Sequence, residues 1–145
     1  MRDEMKFLDA NVFVYAYYKP RKQLSQKEID MKEAAQRIIA NIFEGKDRVL
    51  TSVVHLSEVV NILKHGFPTD QVSEIMRGVF MLENVIVADV TRDIYFAANE
   101  LGDNLRLDAN DALAVDIMKL NGISEIYSFD EDFDKVEGIR RISSS

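Results

Sequence analysis

Short apolar runs alternate along this chain with longer stretches in which apolar residues recur every three or four positions. Runs of the first kind predict buried strands, and stretches of the second kind predict amphipathic helices. Strands are expected at 6–8, 49–51, 85–87, 125–128 and 139–142. Helices are expected at 11–18, 28–43 and 53–65, from 69 or 70 to 82, and at 92–101 and 109–120. Within 28–43, Ile29, Ala35, Ile38, Ile39, Ile42 and Phe43 form one apolar stripe. The punctuation agrees with this parsing. Gly45 and Gly66 follow helices, Pro68 follows Gly66, and Thr69 or Asp70, then Thr91, stand at helix starts. Gly102 and Asn121-Gly122 read as helix ends. Strands separated by one or two helices pair in parallel through right-handed crossovers. The expected fold is therefore α/β, a three-layer α/β/α sandwich with a small, mainly parallel central sheet. At 145 residues the chain suits one domain, 1–145, with one substantial core.

The informative departures from this pattern are carboxylates at strand ends. Asp9 follows the apolar Phe7-Leu8, and Asp130 follows Ile126-Tyr127-Ser128-Phe129. In open parallel sheets, ligands bind beyond the C-terminal ends of the strands. Acids gathered there repel one another unless a divalent cation holds them, which points to Mg²⁺ or Mn²⁺ and phosphodiester chemistry. Composition narrows the chemistry further. The absence of cysteine removes disulfides, thiolate zinc sites and cysteine nucleophiles. His55 and His65 lack the spacing of paired metal ligands. A metal site in this chain is therefore built from oxygen, which favours a hard cation.

A formal charge of −7 argues against broad electrostatic capture of nucleic acid, although a bound cation reverses the local sign. The densest basic stretch is Lys19-Pro20-Arg21-Lys22, either a solvated loop or a phosphate contact near the acidic edge. The apolar run 7–18 is interrupted by Asp9 and Asn11 and is too short to span a membrane. No signal peptide is visible, so a cytoplasmic protein without membrane association is expected.

Each acidic segment has a structural reading beside the chemical one. Asp9 is costly to bury without partners, yet aspartate is also a favoured helix N-cap. Asn11 stands two residues on, placed to orient that carboxylate or a water beside it. Glu58 interrupts a helix that is otherwise almost wholly apolar. Ser57, Glu58 and Asn61 form its narrow polar stripe, which is either a solvent face or the wall of a cleft. Asp108 and Asp111 resemble a capping pair, and a carboxylate near a helix N-terminus stays ionised at low cost, as a metal ligand must. The run Asp130-Glu131-Asp132-Phe133-Asp134 fails as a calcium loop. Lys135 stands where that loop requires glycine, and Arg141 stands where it requires the closing acid. What remains is Asp130 at a strand end, Asp132 able to turn toward the same place, and Ser128 placed to bond a ligand or phosphate. Asp134 reads as surface or capping.

Four segments carry these residues: Phe7-Leu8-Asp9-Ala10-Asn11, the helix around Glu58, Asn110-Asp111-Ala112-Leu113-Ala114, and residues 126–134. In that order and at those separations they resemble the PIN domain family, and within it the VapC-type toxin nucleases and their archaeal relatives. The resemblance extends nearly to the C-terminus, through Ile139-Arg140-Arg141-Ile142. It implies a metal-dependent endoribonuclease that hydrolyses RNA with Mg²⁺ or Mn²⁺. The family's catalytic acids match Asp9, Glu58, Asp111 and Asp130. Metal ligation falls to Asp9, Asp111 and Asp130, with Asp132 sharing the last role, while Glu58 binds a cation or positions the attacking water. Asn11, Asn61 and Ser128 are expected to support these acids or touch substrate. Glu131 departs from relatives that often carry a basic or neutral residue there, which weakens RNA capture by this loop or makes it more metal-dependent.

The likeness to VapC also implies an antitoxin protein that covers the active groove. The apolar helices at 53–63 and 72–82 suit such a partner or a homodimer, or else belong to the core. Two rival readings keep the family and change the role. A PIN nuclease of RNA maturation often carries a zinc ribbon, which this cysteine-free chain lacks. A non-catalytic PIN scaffold for RNA or protein would not need all four acids. A phosphatase built on Asp130 and Asp132 is disfavoured, because Phe133-Asp134 follows the second aspartate.

Overall fold

Strand β1 (Lys6–Leu8) runs through Asp9 into helix α1 (Ala10–Tyr17), followed by α2 (Gln26–Phe43) and β2 (Val49–Ser52). Helices α3 (Val53–Leu63) and α4 (Thr69–Phe80) lead to β3 (Val85–Ala88). Helices α5 (Arg92–Leu105) and α6 (Ala109–Leu120) lead to β4 (Glu125–Tyr127). A 3₁₀ turn at Glu131–Lys135 precedes β5 (Arg140–Ile142). The computed structural model describes residues 4–18 and 22–144, so Lys19, Pro20 and Arg21 of the basic stretch lie outside the described residues.

All pairings among the described strands are parallel, in the order β3-β2-β1-β4-β5. Side chains alternate across this sheet as the two-residue period requires. Phe7, Leu50 and Ile126 are in register and pack with Ala98, Leu113 and Met118 of α5 and α6. Leu8, Val49 and Tyr127 face the other way, against Phe13, Ile38, Leu56 and Val72 of α1 to α4. The result is the expected three-layer sandwich. Phe7 and Leu8 are fully buried, and each such side chain stabilises the fold by about 1.5–3 kcal/mol.

The topology also fixes where a ligand belongs. The chain moves from β1 to β2 to β3 in one direction, then crosses back to place β4 on the other side of β1. That reversal leaves a crevice between the C-terminal ends of β1 and β4, the switch point at which open α/β sheets bind ligands. Asp9 and the segment Ser128 to Asp130 sit there.

Local signals mostly match the elements, with three corrections. Helix α2 starts two residues earlier than expected, because Ser25 and Glu28 form a reciprocal capping box. Neither Thr69 nor Asp70 caps α4: Pro68 occupies the N-cap position, without a side-chain cap hydrogen bond. Gly102 does not end α5, which continues to Leu105 and stops at Arg106 in the left-handed conformation, φ 57°. Gly102 instead permits close contact between α5 and the start of α6. A Cβ there would lie 2.7 Å from the Leu107 carbonyl oxygen and 3.3 Å from Ala112 Cβ. Val72, Met76 and Val79 of α4 are buried, whereas Phe80 and Met81 at its end and Val53 and Ile62 on α3 are exposed. No helix among the described residues is long and apolar enough to cross a membrane.

Candidate active site

Asp9 caps α1 from a buried position, 5% exposed, at the end of β1. Its Oδ1 accepts from the Ala10 N–H at 2.8 Å, and its Oδ2 accepts from the Ser128 hydroxyl at 2.7 Å. Both oxygens of this carboxylate are thus fixed from two adjacent strand ends. Ser128 Oγ in turn accepts from the Asp130 N–H at 3.0 Å and from Asn11 Nδ2 at 3.4 Å. Asn11 Oδ1 also accepts from the Phe129 N–H at 3.3 Å. Asn11 therefore reaches Asp9 through Ser128, and these two residues lock β1 to the loop after β4.

Asp130 opens the 3₁₀ turn, where its Oδ1 accepts from the Asp132 N–H at 2.9 Å. This turn brings Asp132 back toward the strand end. Asp108 is the N-cap of α6, accepting from the Asp111 N–H at 2.8 Å, so the capping role belongs to Asp108 and leaves the Asp111 carboxylate available. Asp111, Asp130 and Asp132 each present an oxygen, and these oxygens lie within 4.8 Å of one another. Oxygens around a six-coordinate Mg²⁺ or Mn²⁺ at about 2.1 Å stand about 3–4 Å apart. Small side-chain movements thus suffice for these three charged, hard donors to hold such an ion.

Asp9 and Glu58 stand outside that tight trio, and Asp9 feels the charges of both Glu58 and Asp130. Burial pushes the Asp9 carboxyl up to about 7, with the Ser128 hydrogen bond opposing and the charges of Glu58 and Asp130 adding. Burial also raises Asp111 well above the carboxylate range, reinforced by Asp9, Asp108 and Asp130. Glu58 is half-buried on α3 and is raised chiefly by burial, against a hydrogen bond from Asn110 and with Asp108 adding. The site is therefore short of positive charge, and Asp9, Asp111 and Glu58 are held toward the protonated form.

His55 and Asn110 join the site from α3 and α6, while Asn61 stands apart from its acids. His55 is buried on α3, with Nδ1 2.6 Å from Ser52 Oγ and Nε2 3.1 Å from the Asn110 carbonyl oxygen. A carbonyl only accepts, so Nε2 carries the proton and Nδ1 accepts from Ser52. Burial pulls the imidazole down to about 4, which keeps it neutral. Asn110 donates from Nδ2 to Glu58 Oε1 at 2.9 Å. Asn61, expected beside Glu58, is exposed and makes no hydrogen bond to the acids among the described residues. Asp134 grips Arg141 with both oxygens, at 2.9 and 3.1 Å. Beside Asp130 an open cavity of about 560 Å³ is lined by Lys27 and Arg141 together with Asp30, Glu131, Met31 and Phe129, so its two cations stand among acids.

Residues 6–139 match the model of the PIN domain family. The chain belongs to that family. This PIN domain is 27% identical over 114 residues to ribonuclease VapC13 of Mycobacterium tuberculosis, covering 75% of this chain and 83% of the relative. Its fold is similar to VapC20 of the same organism, a toxin that cleaves the sarcin-ricin loop. That match has a TM-score of 0.64 at 23% identity and covers 90% of this chain and 93% of the other. It is also similar to VapBC2 of Rickettsia felis, solved with a DNA fragment from the promoter. There the TM-score is 0.62 at 13% identity, over 95% and 97% of the two chains. At these identities the two structural likenesses speak to the PIN fold, and the crevice at β1 and β4 is the feature of this chain that speaks to chemistry.

Proposed function

We propose that this PIN domain is a Mg²⁺- or Mn²⁺-dependent endoribonuclease, the toxin of a VapBC-type pair. The observation that carries the proposal is the trio Asp111, Asp130 and Asp132, within 4.8 Å of one another, with buried Asp9 beside it at the switch point. A divalent cation bound there supplies Lewis-acid polarisation of the scissile phosphate and favours ionisation of the attacking water. Asp9, Asp111, Asp130 and Asp132 would hold the cation. Ser128 and the Ala10 N–H fix the Asp9 carboxylate so that neither oxygen swings away. Glu58 would hold a second cation or orient the water that displaces a bridging oxygen at phosphorus. Lys27 and Arg141, along the adjoining cavity, offer phosphate contacts to a strand that an acidic protein would otherwise repel. The names of the VapC and VapBC relatives support the choice of RNA as substrate and an antitoxin as partner. Exposed Val53 and Ile62, with Phe80 and Met81, support an apolar docking face for a second copy or for that antitoxin. Light scattering of the purified chain, alone and with the product of any small upstream reading frame, distinguishes those assemblies.

The purified protein is expected to cleave a single-stranded RNA with Mg²⁺ or Mn²⁺ and to stop on addition of EDTA. An Asp130→Asn protein purified in parallel controls for contaminating nuclease. Cleavage that persists in EDTA, or that is equal in the two preparations, overturns the assignment.

A further inference from the structure

Among the described residues, the one hydrogen bond to the Glu58 carboxylate comes from Asn110, on a different helix. Left to itself, a glutamate among like charges swings out to water. Asn110 stands at the second position of α6, directly before Asp111, and its amide bridges two partners. Its Nδ2 donates to Glu58 Oε1 at 2.9 Å, and its Oδ1 accepts from the Tyr95 hydroxyl of α5. The Glu58 carboxylate only accepts, which turns the NH₂ of Asn110 toward it, and the Tyr95 hydroxyl anchors the other end of the amide by donating to its oxygen. The main chain at Asn110 is pinned separately, by His55 Nε2 on its carbonyl. The His55 ring is held in turn by Ser52 and by an edge contact to Phe7, with ring centroids 5.0 Å apart.

We infer that Asn110, anchored by Tyr95, is the positioning residue that aims the Glu58 carboxylate at the acidic cluster. The inference rests on the proposed role of Glu58 in cleavage and adds the device that sets its direction. It separates two functions of one residue. The backbone of Asn110 ties α3 to α6 through His55, and its side chain orients Glu58. Removing the side chain therefore keeps the tie between the helices and releases the glutamate.

The test is a double-mutant cycle on cleavage of a short RNA oligonucleotide with Mn²⁺, using enough protein to read slow rates. Asn110→Ala is expected to lower the rate at saturating RNA about 10–100-fold, the usual cost of losing a partner that orients a metal-site group. The RNA concentration at half-saturation stays within about twofold, since uniform binding is untouched. In a Glu58→Gln background the same change is expected to cost less than about twofold, because residues acting through one group are not additive. Tyr95→Phe should follow the same pattern with a smaller loss, and it carries the cycle if Asn110→Ala does not fold. Equal losses in both backgrounds, or no loss from Asn110→Ala or Tyr95→Phe, overturn the inference. Wild-type cleavage by Glu58→Gln has a different meaning: it removes the role of Glu58 itself and the positioning with it.

Discussion

Asp9→Asn and Asp111→Asn are each expected to lower metal-dependent RNA cleavage at least about 100-fold while leaving the fold intact. The magnitude follows from what a cation supplies. Lewis-acid stabilisation of the transition state is worth several kcal/mol, and each 1.4 kcal/mol is about tenfold in rate. The amide keeps the shape of the carboxylate and loses its charge. At residue 9 the Ala10 N–H retains an oxygen to bond, so α1 keeps its start. At residue 111 the cap is the Asp108 side chain, which the substitution does not touch. Rates measured with Mn²⁺, alongside circular dichroism of each protein, check both halves. Cleavage by either variant near the wild-type rate contradicts the assignment of these acids.

The second large effect is on stability without metal. The Asp9 carboxyl is held at about 7 in the folded protein against 3.8 for the free side chain, and Asp111 is shifted in the same direction. Between about pH 4 and pH 7 the folded state therefore binds more protons than the unfolded state. Linkage makes stability fall as pH rises through that window, by at most about 1.4 kcal/mol per unit for each such group, or about 4 kcal/mol for Asp9 across it. The stabilising contribution is present at low pH and lost above the folded value. Excess Mn²⁺ binds only the folded form and replaces the protons, so it is expected to raise the melting temperature most at pH 8 and to flatten the slope. Asp111→Asn should melt higher than wild type in EDTA at pH 8 and gain less from Mn²⁺. A lower melting point with an unchanged metal response would reduce Asp111 to a stabilising helix-end charge. Calorimetric scans at several pH values, with EDTA or with Mn²⁺, separate the two.

Asp9, Asp111 and Asp130 were legible because a carboxylate at the end of a buried strand, or at a helix start, breaks a local pattern. The sheet was legible for the same reason, since the periods of 2 and 3.6 residues are local. What the sequence hid are contacts between elements. Helical spacing nominated Asn61 as the neighbour of Glu58, three residues away, but Asn61 faces solvent and the partner is Asn110, fifty-two residues on. His55 lacks the spacing of a paired metal ligand, and its bond to the Asn110 carbonyl arises only when α3 and α6 meet. Gly102 reads as a helix stop because glycine commonly is one, but its missing Cβ serves the approach of α5 to α6. Asp132 turned out a full member of the tight trio, since the 3₁₀ turn that folds it back has no strong periodic signal.

The central claim is that the acids at the β1–β4 crevice form a divalent-cation site. Anomalous diffraction from crystals grown with millimolar Mn²⁺ tests it most directly. The expected result is an anomalous peak bonded to Asp111, Asp130 and Asp132, with Asp9 beside it, and its loss in Asp111→Asn crystals. A well-ordered crevice with no peak, or Mn²⁺ bound only elsewhere on the protein, would contradict it.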